Sequence, residues 1–466
     1  MVEYTQRASD ASVEFIELIT PAGTIDLLDS LVTFNMYESL YKKHIKVELT
    51  INDSTNIPFH APILGEEHLN FRFNTKSAGR SGEIWPGNMY TVKITDRHIT
   101  KDRQQLYILH FVSQQAMHSM NSTVSRSFNA KLISDIVNDI YTDYLEDGSS
   151  NTLTVEPTVG LENVVIPNLK PLEAIDWLSK RALNSKGIPN YLFWESNGET
   201  YFESLDSLLS KRTEQKFFYN PISNDSTKLI SLSNGVIEID NLQILDGFNV
   251  ATNVTDGYYA SKLVTHDIVT KKIEERTYSL DKIYNGDINH TDYYMPISES
   301  ETDFTPNDRH TFAPLEKNSS NEGVSIQSYY DSNVRVYPKH NQLFSRTAGE
   351  LYNNNVEEWL LQRKTLITSL DQIKLQVSCA GVAGLQVGHI IEIAVPSPQK
   401  VLKTPKGTIS NVGDLNDFYL SGKYLVTSLN RNINFADKST RYKYSMTMEL
   451  TKTGLGSATG KSESLK

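Results

Sequence analysis

Apolar and polar residues alternate with a period of two near both ends of the chain. Ile45, Val47, Leu49 and Ile51 alternate with Lys46, Glu48 and Thr50, and Leu69, Phe71 and Phe73 alternate with Asn70, Arg72 and Asn74. Leu106 to Val112 reads as a third, more fully buried strand. Towards the other end, Tyr442, Tyr444, Met446, Met448 and Leu450 alternate with Lys443, Ser445, Thr447 and Glu449. Successive side chains of a strand point to opposite faces, so this period marks sheets packed on one side. It predicts a mainly β protein with two antiparallel, barrel-like β-domains, at 12–112 and 371–453.

Between them the period lengthens. Phe128, Leu132, Ile133, Ile136, Val137, Ile140, Tyr141 and Tyr144 fall at helical spacing, which predicts a helix from near Ser127 to before Gly148. A second helix has Pro171 in its first turn, carries Leu172, Ile175, Trp177, Leu178 and Ala182, and meets Gly187 past its end. Tyr191–Glu195 and Thr200–Glu203 flank Asn197-Gly198, a strong signal for a type I′ hairpin. Residues 113–205 thus form an α+β insert of two helices and a hairpin. Residues 206–370 read as a strand-rich connecting region, with a polar arm at 287–325 and a helix within 341–368 around Leu351, Val356, Trp359, Leu360 and Arg363. A disordered tail is expected at 454–466.

Composition narrows the function. The chain has 466 residues and 24 tyrosines, and 56 acids against 45 Lys and Arg give a net charge of −11. That balance disfavours general affinity for nucleic acid or anionic lipid. Between Asp281 and Glu358 there are 13 acids and 6 bases, most of the surplus. One cysteine, Cys379, excludes an internal disulfide framework and a cysteine-based zinc knuckle. No secretory signal and no membrane-spanning stretch is read, so no membrane anchor is expected.

The search for catalytic chemistry leaves no constellation standing. His290-Thr291-Asp292 matches the H-x-D of a two-histidine, one-carboxylate iron site, with His310 or His340 as third ligand. About one such match arises by chance in a chain of this size, and solvated loop histidines are the plainer reading. Glu66-Glu67-His68 reads as a turn entering a strand rather than an acid–base pair. Gly79-Arg80-Ser81-Gly82 lacks the spacing of a nucleophile elbow, and Gly454, Gly456 and Gly460 lack that of a dinucleotide site. Cys379 follows a strand and reads as a packed core thiol. No catalytic, cofactor-binding or metal-ligating residue is assigned, and the protein is expected not to be an enzyme.

Four stretches carry a family resemblance. The first runs from Asn35-Met36-Tyr37-Glu38-Ser39-Leu40 through Ile45–Ile51 and Asp53 to the turn Ala61-Pro62-Ile63-Leu64-Gly65-Glu66-Glu67. The second is the helix from Phe128. The third joins Lys170–Leu178 to Tyr191–Glu195 and Tyr201–Leu205. The fourth is Leu385–Ile393 with Pro396, then Ser421–Val426 and the closing strand Tyr442–Leu450. In this order they resemble the baseplate hub proteins of contractile-tailed phages, a family related to the hub portion of type VI secretion spike proteins.

The resemblance implies a trimer in which two similar barrels per chain alternate around a pseudo-hexameric ring. One face would meet the hexameric tail tube and the other the trimeric spike. Further partners would be other baseplate proteins and a tape-measure protein. DNA would pass the lumen without specific binding, which an acidic lining would favour by repulsion. The implied location is the virion tail, after synthesis in a bacterial host cytoplasm, with no cofactor. A β-rich cell-wall-degrading enzyme and a host-recognition tail protein remain as alternatives.

Overall fold

The computed structural model describes residues 10–77, 80–100, 104–146, 152–219, 236–247, 249–268, 270–280, 330–339, 356–370, 373–396, 417, 420–435 and 442–453. The first stretch gives β1 (Asp10–Thr20), β2 (Gly23–Asp26), β3 (Leu31–Ser39), β4 (Lys46–Asp53), the helical turn α1 (Ile57–His60), β5 (His68–Ser77), β6 (Arg80–Ile84), β7 (Met89–Ile99) and β8 (Gln105–Ser113). The insert gives α2 (Gln114–Asn121), β9 (Val124–Leu132), α3 (Ile133–Tyr144), β10 (Leu153–Val155), β11 (Leu161–Leu169), α4 (Pro171–Ser179), β12 (Tyr191–Ser196), β13 (Glu199–Ser204) and α5 (Leu205–Ser210). Then follow β14 (Thr213–Tyr219), β15 (Val236–Gly247), α6 (Val250–Asp256), β16 (Ala260–Asp267), β17 (Ile273–Ser279), β18 (Val334–Lys339) and α7 (Val356–Ser369). The chain closes with β19 (Ile373–Ala380), β20 (Ile390–Ala394), β21 (Gly422–Asn434) and β22 (Tyr442–Thr451).

Strand pairing closes two rings. The first runs β1–β5–β7–β8–β4–β3–β21–β22 and returns to β1, antiparallel throughout. The second runs β21–β22–β19–β15–β14–β20 and returns to β21, with β14 parallel to both β15 and β20. The hairpin β21–β22 belongs to both. Gly422–Leu425 of β21 pair with β20, and Ser428–Asn434 pair with β3. A register shift between Val426 and Ser428 marks the crossing, where a bulge can re-aim a strand. Tyr424, Leu425, Val426 and Thr427 are buried in succession, because this segment packs on both faces.

The alternating stretches are therefore strands, but 12–112 and 371–453 do not close as separate sheets. The first ring takes its last two strands from the C-terminal stretch. The second takes β14 and β15 from the region expected to be a connector. Alternation reports which face of a strand is buried, not which strand it pairs with. An eight-stranded ring is about the size whose interior side chains can fill. Phe34 does so here, edge-on to Phe71 and to Phe73 at 4.8 Å each. One apolar core runs on from there through Trp194 and Leu208 to Phe217, Val377 and Ile391 of the second ring.

The insert has its own core, in which Ile136, Val137 and Ile140 of α3 meet Ala174, Ile175 and Leu178 of α4 under Tyr191 and Phe202. Its second helix and its hairpin lie where the pattern places them. The first helix does not: Val124–Leu132 is a strand paired with β11, and the helix begins at Ile133. Phe128 and Leu132 are four apart by coincidence; on a strand interrupted by Ala130 at φ 45°, Phe128 is buried and Leu132 only partly so. The first turn of α3 has no side-chain cap of its own, and the Ser134 amide instead donates to Thr158 Oγ1 at 3.0 Å. A third unit packs the sheet β17–β16–β18 against α7 through Leu263, Tyr278, Val356 and Leu361. The polar arm and the tail lie outside the described residues.

Candidate functional site

The two rings and the insert meet at one buried polar junction. Glu38, near the end of β3, and Arg431, on the shared strand β21, are both 2% exposed. Glu38 Oε2 accepts from Arg431 Nε at 3.0 Å, while Oε1 accepts from Ser196 Oγ at 3.0 Å and the Asn197 amide at 2.6 Å. The Arg431 guanidinium also donates to the Tyr444 hydroxyl at 3.1 Å and to the Leu385 carbonyl at 2.7 Å. One ion pair thus ties β3 of the first barrel, the shared hairpin, the 381–389 turns of the second barrel and the tip of the β12–β13 hairpin. Burial alone would lower the Arg431 pKa; the Glu38 charge and Tyr444 outweigh it and raise it.

The hairpin tip is built for this contact. Asn197 and Gly198 have φ of 46° and 87°, as a type I′ turn requires. Asn197 accepts from the Trp85 amide at 3.0 Å and donates to the Glu83 carbonyl at 2.9 Å. A Cβ on Gly198 would stand 3.0 Å from the Trp85 carbonyl oxygen. Next to the tip, Glu195 is 1% exposed and accepts from the Ile45 amide at 3.1 Å. Burial pushes its carboxyl up to about 7, and the Glu38 charge adds to the rise.

The turn of the first resembling stretch is equally constrained. Asp53, 1% exposed, accepts from the Thr55 amide and hydroxyl, the Ile57 amide at 2.7 Å and the Tyr107 hydroxyl. Glu67, fully buried, accepts from the Leu64 and Gly65 amides at 2.7 and 2.9 Å. Two buried carboxylates therefore fix the two ends of residues 54–67. Glu67 holds a turn rather than facing a substrate, and its neighbour Glu66 is exposed.

The remaining candidates resolve simply. Cys379 is a free, buried thiol on β19, pushed up to about 12 by burial. His290, Asp292, His310, His340, Gly79 and the glycines of 454–466 lie outside the described residues. Among the described residues, no three His, Cys, Asp or Glu side chains converge to hold a metal ion, and no helix is long and apolar enough to cross a membrane. Pattern reasoning passed over the junction, although it leaves a signal. Glu38 falls in phase with Phe34, Met36 and Leu40, and Arg431 with Leu429 and Ile433, so each strand puts one charge on its buried face.

No protein-family model matches the chain, and no curated protein sequence does. Solved structures do match. A 43 kDa tail protein of prophage MuSo2 from Shewanella oneidensis aligns at TM-score 0.51 and 8% identity, over 94% of this chain and 98% of that one. A tail protein from Neisseria meningitidis aligns at TM-score 0.49 and 11% identity, over 95% and 98%. A chain of the Francisella PdpA–VgrG complex aligns at TM-score 0.43 and 8% identity, over 95% of this chain and 58% of that one. The Shewanella match carries the conclusion: this chain shares the fold of that tail protein.

Proposed function

We propose that the protein is a structural component of a contractile phage tail, the trimeric baseplate hub that joins the hexameric tube to the trimeric spike. The observation that carries this reading is the pair of barrels fused through one hairpin in a single chain. Three such chains supply six barrels, which lets a three-fold part meet a six-fold one. The buried Glu38–Arg431 junction would hold the two barrels of a chain at a fixed angle, as a ring of alternating barrels needs. The partners are then a spike protein on one face, the tube protein on the other, neighbouring baseplate proteins and a tape-measure protein. DNA crosses the lumen without specific contacts, and the protein does no chemistry of its own. Light scattering after size exclusion, alone and with the spike protein, tests the reading. A mass of about 158 kDa, three times 52.7 kDa, is expected in at least one condition. A monomer in both overturns it.

A further inference from the structure

The β12–β13 hairpin is rooted in one core and seated against another. Tyr191 and Phe202, stacked at 4.9 Å between ring centroids, belong to the core of the insert, whereas Leu192 and Trp194 join the core of the barrels. Beyond Trp194, polar groups hold the tip down: Glu38 on Ser196 and Asn197, the Asn197 side chain on Glu83 and Trp85, and Glu195 Oε2 on the Ile45 amide. Glu195 is the weak member of that set. Its Oε1 is buried and takes no hydrogen bond among the described residues, and the facing Ser113 Oγ on β8, also buried, makes none either. The Ser113 hydroxyl dipole draws the Glu195 pKa down, but burial outweighs it.

Among the described residues no cation answers this carboxyl. From β3 comes Glu38, whose charge raises the Glu195 pKa further. From β21 and β22 come Arg431 and Tyr444, and the guanidinium donates to Glu38, Tyr444 and the Leu385 carbonyl. On either side of the Ile45 amide, Lys46 is exposed and His44 is neutral, lowered to about 4 by burial and by Lys46, Lys42 and Lys43. Opposite on β13 stands Thr200, bonded to Gln115 of α2. A proton therefore does what a cation would. On Oε1 it removes the charge and gives Ser113 Oγ a donor to accept from. We propose that Glu195 is a proton-held latch: protonated, it keeps the hairpin tip on the barrels, and on giving its proton to water it lets residues 195–200 lift while both barrels stay closed. The barrels stay closed because Glu38 Oε2 keeps Arg431 when Ser196 and Asn197 leave Oε1. The latch stands apart from the hub reading, since every contact it uses lies within one chain.

The seated carboxyl holds its proton up to about pH 7 and a carboxyl in water only to 4.5, so lifting releases a proton between those values. The lifted fraction then rises about tenfold per pH unit between about 5 and 7, roughly 300-fold in all, and levels off above. Hydrogen exchange on the full-length chain reads it. Protection of the Ile45, Trp85 and Asn197 amides, corrected for intrinsic rate, should fall about tenfold per pH unit over that range, while amides of the β21–β22 hairpin stay far more protected. Glu195→Gln should remove the slope. Ser113→Ala takes away a hydroxyl that favours the charged form and should carry the slope's upper end above pH 7. If the three amides are protected as strongly as those of β21–β22, the tip opens only with the whole fold and the latch is wrong. A slope that survives in Glu195→Gln places the proton on another group and also overturns it. Should Glu195→Gln not fold, Ser113→Ala decides alone, and an unmoved slope overturns the latch.

Discussion

Six of the first barrel's eight strands lie within the first 113 residues and pair antiparallel, whereas the second barrel gathers six strands from three separate stretches and runs β14 parallel to both its neighbours. Antiparallel neighbours can be joined by short turns, but parallel ones need a crossover, so their partners are distant in sequence. Here the β16–β18 sheet and α7 lie in the chain between β14 and its parallel partner β20. The first barrel is thus largely a local structure and the second a non-local one, and the shared hairpin makes each depend on the other.

Arg431→Met is the change that should break this dependence most severely. It leaves Glu38 buried at the junction without its cation, a loss of about 3–5 kcal/mol. Because β21 serves both rings, both should unfold together. Urea unfolding followed by circular dichroism and by trapping of the Cys379 thiol should give coincident curves at a lower midpoint than wild type. Thiol trapping that precedes the loss of circular dichroism would show the second barrel opening alone and would overturn the coupling.

What the sequence discloses follows the same division. Strands β4, β5, β8 and β22 of the first barrel, α4 and the Asn197-Gly198 hairpin are written in local periodicity and turn chemistry, and the structure has them. Closure of either ring is not, because β14 and β15 owe their place to partners more than a hundred residues away. The start of α3 is not legible for a related reason: Thr158, not a residue before the helix, satisfies its first turn. The junction was half legible, as charges out of place on apolar faces, but nothing local pairs Glu38 with a residue 393 positions on.

The junction's two carboxylates sharpen the comparison. Glu38 meets a buried cation, whereas Glu195, one residue from the same hairpin tip, meets only amide and hydroxyl neighbours. Its folded pKa of about 7 lies above the usual value of 4.5, so the folded state holds the proton more tightly than the unfolded chain. The resulting penalty is absent below about pH 4.5, grows as pH rises and is complete above about 7, where it reaches about 3 kcal/mol. Glu195→Gln should match wild type near pH 4 and exceed it by about that amount at pH 8, read by thermal or urea unfolding. A difference independent of pH would refute the buried, cation-free carboxyl. Gly198→Ala is a smaller test of the same contact. At φ 87°, with the Trp85 carbonyl 3.0 Å from the new Cβ, it should cost about 1–2 kcal/mol at every pH.

Phe59→Ser should have the smallest effect on folding, and its smallness is informative. An aromatic ring normally belongs to a core, where its loss costs about 3–5 kcal/mol, as expected for Phe34→Ala in the same barrel. Phe59 lies on a turn whose shape is set by bonds to Asp53 and Glu67, and 74% of the residue is in water. Replacing it removes little buried surface, so the unfolding free energy of the isolated chain should change by no more than about 0.5 kcal/mol. Measured at a concentration where the chain is monomeric, a loss above 1 kcal/mol would mean that the ring supports the barrel it projects from. A neutral result would mean that the two buried carboxylates hold the turn without help from the phenyl ring.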